Sequence, residues 1–202
     1  MLYILGRIID AEYSEGGRVE LKALAVTVLG LLREGPMHPY EMFQVLRKRG
    51  DDQVIKVSPG ALYHAVEKLE ESGLVRIDRI ERESNRPERT VYALEPSGER
   101  AATDWVISEL SKVRNEYPVF PVALAVAPKL PWRTVRGAFE QRIKELHELR
   151  ASRIERLNHA READISEIFL LEDTYLLEVQ TAQLNHMQRT IDLVESGALT
   201  WP

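Results

Sequence analysis

The stretch that decides the fold is Ser58 to Leu74, SPGALYHAVEKLEESGL. Ser58 can accept a hydrogen bond from a free amide of the first helical turn, and Pro59 suits the first helical position, where no amide donor is needed. Gly73 can adopt the left-handed conformation that ends a helix. The stretch therefore predicts a helix whose two ends are both defined by its sequence.

This helix has two chemically different faces, because successive residues turn by about 100°. The face predicted to pack in a core carries Leu62, Ala65, Val66 and Leu69. The opposite face and its flanks carry Gly60, Tyr63, His64, Glu67, Lys68 and Glu71. The second set is polar or aromatic, so that face is predicted to remain exposed and to contact a ligand.

Two further helices are predicted ahead of this one. Residues 20–34, ELKALAVTVLGLLRE, place leucine and valine at helical spacing, and the Gly-Pro pair at 35–36 ends the run. Residues 38–49 form a shorter amphipathic segment that ends in the basic cluster Arg47–Arg49, which complements the helix dipole. Three helices joined by short turns are typical of a helix-turn-helix, whose third helix enters a DNA groove.

Beyond Gly73 the apolar period changes from helical to alternating. Residues 74–79 and 89–94 alternate on either side of the polar turn SNRPE, which predicts a β-hairpin. Its arginines are interleaved with acidic residues. Two interpretations stay open: a wing that reaches phosphate or the minor groove, and a solvated hairpin of mixed charge.

The remainder of the chain predicts helices only. A fourth helix should run to about residue 114, and the prolines between 118 and 131 predict a connection to a second module. Residues 131–162 predict a long helix, and a second long helix follows after a short break. Its apolar residues at or near a seven-residue repeat are Leu177, Leu184, Met187, Ile191 and Val194. Helices this long cannot bury their stripes within a small domain, so we expect an antiparallel pair that packs on a second subunit.

The expected organisation has four parts. These are an N-terminal arm (1–19), a winged helix-turn-helix domain (20–114), a linker (115–130) and a helical dimerisation domain (131–202). The expected fold class is mainly α, with a two-stranded β wing followed by a C-terminal helical module.

Composition restricts the classes of function. The 202 residues are 44% hydrophobic, enough for a buried core, and the formal charge of −5 argues against a nonspecific nucleic-acid coat. The absence of cysteine excludes disulfides, thiolate nucleophiles and cysteine-ligated zinc. No apolar run approaches the roughly 18 residues of a membrane span, and no basic segment precedes the apolar start. We therefore expect a cytoplasmic protein without membrane association.

No catalytic or metal-binding pattern is evident in the sequence. The five histidines are scattered, without HExxH or paired ligand spacing, and GxSxG, Walker A and GxGxxG are absent. The carboxylates are mixed with Lys and Arg, as is typical of solvated helix faces. We expect no enzymatic activity, no cofactor and no metal site.

Several motifs occur in a specific order: MHPYEM at 37–42, SPGALYHAVEKLEESGLV at 58–75, and RPERTVYAL at 86–94 followed by PSG. With this order and spacing the chain resembles the PadR family of bacterial winged-helix transcriptional regulators. Its C-terminal half is similar to the larger subgroup of that family, which has a helical dimerisation domain. The resemblance implies a homodimer that binds double-stranded DNA at an inverted-repeat operator, represses transcription and releases DNA when a small organic effector binds.

Candidate DNA contacts centre on the capped helix. Tyr63, His64 and Lys68 are expected to read bases, and Ser58 and the backbone of Gly60 are expected near phosphate at the positive helix N-terminus. Further contacts, to phosphate or in support of the reading helix, are expected from Tyr40, Arg47, Lys48, Arg86 and Arg89. The alternatives are that the two tyrosines are half-buried core aromatics and that the basic cluster is an ordinary charged helix end.

Two predictions concern ligands other than DNA. An effector pocket with aromatic walls is predicted between the fourth helix and the C-terminal module, from Trp105, Phe120, Trp132 and Phe139; the alternative is that these rings are plain core. The rival function is a winged-helix scaffold that binds protein, which the overall acidity favours. Substitution of Tyr63 and Lys68 distinguishes the two functions, because only DNA binding depends on them.

Overall fold

The computed structural model describes residues 21–82 and 88–202. The chain divides into two compact units, Met1–Asn115 and Glu116–Pro202, each with its own hydrophobic core. The arm predicted for residues 1–19 and the candidate phosphate contact Arg86 lie outside the described residues. Within the described ranges, no helix combines the length and apolarity that crossing a bilayer requires.

The first unit is a winged helix-turn-helix. Its elements are α1 (Ala23–Leu32), α2 (Pro39–Arg49), α3 (Pro59–Glu71), β1 (Val75–Glu81), β2 (Arg89–Leu94) and α4 (Pro96–Ser111). The strands pair antiparallel, with Val75 opposite Leu94 and Glu81 opposite Arg89. The predicted fold class, mainly α with a two-stranded wing, is confirmed.

The core of this unit fixes α3 by its inner face. Leu62 and Val66 are fully buried and Leu69 nearly so, and they pack with Leu29 and Met42 of the preceding helices. Full burial of one such side chain contributes about 1.5–3 kcal/mol. The apolar face predicted for this helix is thus the one that packs, which leaves the polar face to solvent.

The start of α4 lies against the turn that follows α3. Gly73 has a φ of +66°, the left-handed conformation expected of it. The hydroxyl of Ser97 donates a hydrogen bond of 2.6 Å to the carbonyl oxygen of Gly73. A Cβ at Gly98 would lie 2.1 Å from the backbone oxygen of Leu74. Gly98 of the PSG motif therefore lets the start of α4 approach the backbone of Leu74 more closely than any residue with a Cβ would allow.

The second unit consists of α5 (Val119–Val126), α6 (Trp132–Glu162) and α7 (Leu171–Glu195). The two long helices correspond to the predicted pair. Arg136 contacts Glu195 near the start of α6, and Arg153 contacts Asp173 further along it, so the two helices run antiparallel.

Helix α5 lies within the stretch predicted as a linker, residues 115–130. Pro121 is its third residue, and a proline in the first turn removes no intrahelical hydrogen bond. Phe120 and Leu124 pack on the core of the second unit. The cluster of prolines therefore marks the ends and first turn of a short helix.

Three of the five residues predicted to contact a second subunit are buried within the chain. Leu184, Met187 and Ile191 are 9%, 0% and 5% exposed, and they pack with residues of α6 such as Phe139. Leu177 and Val194 are half-buried. The repeat in α7 thus packs on α6 of the same chain, and these three side chains are not a free surface.

Candidate nucleic-acid interface

The N-terminus of α3 is capped as its sequence predicts. Ser58 has an extended backbone, and its Oγ accepts a hydrogen bond of 3.2 Å from the amide of Ala61. Pro59 occupies the first helical position, and Gly60 is exposed. The free amides and the positive end of the helix dipole create a location suited to a phosphate oxygen.

The outer face of α3 is open to solvent. Tyr63 is 40% exposed, and His64 and Lys68 are exposed beside it. His64 and Lys68 are four residues apart and so are neighbours on the helix surface, and Tyr63 is exposed on the same outer side of α3. A face of aromatic, imidazole and ammonium groups on a helix of this diameter suits the edges of bases in a major groove.

His38 connects α2 to this face. Its Nδ1 accepts a hydrogen bond of 3.1 Å from the amide of Tyr40, which caps α2, and its ring contacts that of Tyr63 edge-on at 5.9 Å. Burial, followed by the positive charge of Arg89, lowers the pKa of His38. Tyr40 is 48% exposed at the start of α2. His38 therefore supports both candidate tyrosines, a role that the sequence pattern did not indicate.

The basic residues at the end of α2 differ in whether they are paired with a carboxylate. Arg49 forms a bidentate pair with Glu34 at 2.6 and 2.7 Å, and this hydrogen bonding lowers the pKa of Glu34. Arg47 lies 3.8 Å from Asp52 and stays largely exposed. Lys48 is exposed and forms no ion pair with the described part of the chain. Arg47 and Lys48 can thus reach phosphate, whereas the guanidinium of Arg49 is already paired with Glu34 at the surface.

Three arginines of the wing are paired with carboxylates. The carboxylate partners are Asp78 and Glu95 for Arg76, Asp78 and Glu81 for Arg79, and Glu88 for Arg82. Arg89 is exposed at the start of β2. The interleaved acids thus form local ion pairs, which reduces the positive potential that the wing presents.

Two exposed residues near the outer face of α3 were given no role by sequence reasoning, one just before its cap and one further along the helix. Lys56 lies two residues before Ser58, and Glu67 lies one turn after Tyr63. The signal for Lys56 was its position just ahead of a helix N-terminus, where a cation can contact the same phosphate as the helix amides. The helical pattern assigns Glu67 to the outer face but indicates no role for it.

The aromatic residues predicted to line an effector pocket belong to two separate units, Trp105 to the first and the other three to the second. Trp132 contacts Phe139 edge-on at 6.5 Å and Trp201 at 5.0 Å, and the guanidinium of Arg142 stacks on Phe120 at 4.0 Å. The four rings lie in the core of the second unit. Trp105 is half-buried on α4 of the first unit. Three of the four predicted rings thus pack as part of a hydrophobic core.

An open groove of about 550 Å³ lies along α6 and α7. Its lining combines apolar and polar side chains, among them Ile143, His147, Arg150, Ala151, Ile154 and Asn185. Arg150 donates hydrogen bonds to the carbonyl of Leu177 and to the hydroxyl of Thr181 across the two helices. This groove had not been predicted from the sequence.

Most of the first unit matches a known protein family. Residues 28–104 match the model of the Transcriptional regulator PadR-like family. These residues form a PadR-like domain. The resemblance proposed from the sequence motifs is confirmed for this domain, whose family consists of transcriptional regulators. A comparison with curated proteins finds no match.

PadR structures also share the fold of the larger part of the chain. Bacillus subtilis PadR in complex with operator DNA superposes with a TM-score of 0.72 at 17% identity, covering 86% of this chain and 99% of that one. The same protein in complex with p-coumaric acid gives 0.67 at 15% identity, with the same coverage. The PadR-like regulator BC1756 from Bacillus cereus gives 0.64 at 14% identity, again covering 86% and 99%.

Proposed function

We propose that the chain is a sequence-specific DNA-binding repressor of transcription whose reading helix is α3. The observation that supports this most directly is the outer face of α3. It exposes Tyr63, His64 and Lys68 while the inner face is buried and the N-terminus is capped. In a helix-turn-helix, the residues in the N-terminal part of this helix contact base edges. Arg47, Lys48, Lys56 and Arg89 would hold the phosphates on either side.

The test is fluorescence anisotropy with the DNA upstream of the coding sequence and with a scrambled duplex. We expect at least about a hundredfold preference for the upstream DNA. Joint substitution of Tyr63 and Lys68 by alanine should remove that preference. Lys144→Ala, which removes an exposed lysine of α6, is the matched control and should bind as the unaltered protein does. Equal, weak binding of the unaltered protein to both duplexes would contradict the proposal.

Repression is tested by measuring expression from a promoter. A reporter driven by the upstream DNA should give low expression when the protein is present and higher expression when it is absent. The alanine variant at Tyr63 and Lys68 should behave as the absence does. A reporter whose expression rises in the presence of the protein would replace repression by activation and leave DNA recognition unaffected.

The paired arginines of the wing favour a second candidate, a winged-helix scaffold that binds protein. Arg76, Arg79 and Arg82 each have carboxylate partners, so the wing does not present a strongly basic surface. A scaffold would keep its protein partner when Tyr63 and Lys68 are replaced. Loss of specific DNA binding in those variants would therefore favour the repressor.

A homodimer is the assembly we propose. Apolar side chains of the second unit remain exposed in the single chain: Val119, Val122 and Val126 on α5, and Ile168, Phe169, Leu171 and Tyr175 where α6 turns into α7. Exposed apolar patches of this kind commonly mark protein interfaces. A symmetric pair would present two α3 helices to the half-sites of an inverted repeat, about 34 Å apart or a multiple of that distance.

Phe169→Asp tests this assembly. Phe169 is 69% exposed, so the substitution should leave the fold of one chain intact while placing a charge in the interface. We expect a dimer for the unaltered protein and a monomer for the variant in sedimentation velocity, and weaker operator binding by the variant. A dimer that Phe169→Asp leaves unchanged would place the contact elsewhere.

We also propose that a small organic effector releases the DNA. Bacillus subtilis PadR has been crystallised with p-coumaric acid, and the groove along α6 and α7 has apolar walls with the guanidinium of Arg150 beside them. Such a lining suits a small aromatic carboxylate. A panel of aromatic carboxylates should lower operator affinity in the unaltered protein, and Ala151→Trp, which fills the groove, should abolish the effect. Release that persists in Ala151→Trp would exclude this groove.

A further inference from the structure

We infer that Glu67 is a specificity-determining residue, which selects cytosine at one position in each half-site of the DNA. The inference rests on the proposed DNA-binding function and adds a base preference to it. Glu67 is exposed and lies near the middle of α3.

The position of Glu67 places it among the candidate reading residues. It follows Tyr63 by four residues and His64 by three, so it is a surface neighbour of both. Tyr92 of β2 is within electrostatic range of Glu67. Burial is the main cause that raises the pKa of Tyr92, and the nearby carboxylates of Glu70 and Glu67 raise it further. Glu67 is thus close enough to Tyr92 of β2 for its charge to act on that residue, while it neighbours two of the reading residues on the helix surface.

The chemistry of a carboxylate at this position restricts what it can contact. A negative charge facing DNA repels the phosphates, so a contact with a hydrogen-bond donor must offset the repulsion. The major groove offers only two base donors, the N4 amino group of cytosine and the N6 amino group of adenine. Adenine also presents its N7 acceptor beside that amino group, and this acceptor would repel the second carboxylate oxygen. Cytosine presents no such acceptor and is the better partner.

The carboxylate of Glu67 is available for such a contact. Over residues 21–82 and 88–202, Glu67 forms no ion pair, in contrast to the acidic residues of the wing. The adjacent Lys68 is exposed as well and would offset part of the repulsion from phosphate. Cytosine opposite Glu67 would donate its free N4 hydrogen to one carboxylate oxygen, whereas thymine would place a carbonyl oxygen against the carboxylate.

The experiment compares base preferences of the full chain and three variants. Duplexes that carry the operator with single randomised positions are selected by the protein and sequenced. The unaltered protein should enrich cytosine at one position in each half-site. Glu67→Ala should reduce that enrichment about tenfold, within the range for one good base contact. Glu67→Gln should shift the preference toward adenine, because an amide can both donate to N7 and accept from N6.

Glu71→Gln is the charge-matched control. Glu71 is exposed and lies one turn further along α3, so this variant loses the same charge. It should raise affinity for all duplexes alike and leave the base preference unchanged. Unchanged preference in both Glu67 variants would overturn the inference, as would the same change in Glu71→Gln. If the unaltered protein shows no sequence preference at all, the proposed function fails together with the inference. The base-preference profile of the unaltered protein therefore distinguishes this case from a failure of the inference alone.

Discussion

Replacement of His38 should have a cost in stability that depends on pH. The Nδ1 atom of His38 accepts the hydrogen bond from the amide of Tyr40 at 3.1 Å, and it can do so only while the ring is neutral. Loss of an N-cap acceptor costs about 1 kcal/mol. We therefore expect His38→Ala to lower the free energy of unfolding by about 1 kcal/mol at around pH 8.

The sign follows from the lowered pKa of His38, caused first by burial and then by Arg89, with Glu41 and Glu81 acting in the opposite direction. As pH falls, the unfolded chain takes up a proton near the ordinary histidine pKa of about 6.5, before the folded chain does. The stabilisation is thus fully present above about pH 6.5 and is lost as pH falls through the lower folded pKa. The cost of His38→Ala should therefore become smaller as pH falls over that range.

The assay is urea unfolding followed by circular dichroism, at pH values from about 8 to about 5. His38→Asn is the control, because its side-chain oxygen can cap α2 without titrating. We expect a small, pH-independent cost for this variant. A cost of His38→Ala that is equal at both ends of the range would refute the reasoning, as would an equal cost for His38→Asn.

Three further predictions concern stability, each measured by the free energy of unfolding. Gly98→Ala should cost about 2–3 kcal/mol, because the new Cβ meets the backbone oxygen of Leu74 at 2.1 Å; a neutral result would mean that α4 can shift freely. Asp173→Ala should cost about 3 kcal/mol, because it removes the carboxylate that pairs with the buried Arg153; a cost below that of a surface substitution would contradict this. Ser58→Ala should cost about 1 kcal/mol and Ser58→Asp little, since only the second keeps a cap; equal costs would exclude the cap as the cause.

The winged helix was predictable because local signals agreed with one another. Ser58, Pro59 and Gly73 defined the ends of α3, and its apolar period assigned Leu62 and Val66 to the core, where they are buried. The β-hairpin was likewise evident from its alternation. In such segments the same residues set both the backbone and the packing, so a pattern in the sequence is sufficient.

Features that depend on distant partners were not predictable. The heptad-like repeat around Leu184 and Met187 indicates that a helix partner exists, but not whether it belongs to the same chain. The contact between His38 and Tyr63 joins two helices across a turn, and no periodicity reports it. Helix α5 was not predicted because a proline such as Pro121 is compatible both with the end of a helix and with the first turn of a new one.

The ion pairs of the wing bear on how the protein would respond to ionic strength. Arg76, Arg79 and Arg82 already have carboxylates as counter-charges, so each would exchange an internal partner for a phosphate on binding. The number of cations displaced from the DNA would then be smaller than the number of arginines that reach it, and the slope of log affinity against log salt correspondingly shallow. A winged helix of this composition would keep more of its DNA affinity in concentrated electrolyte than one whose wing is uniformly basic.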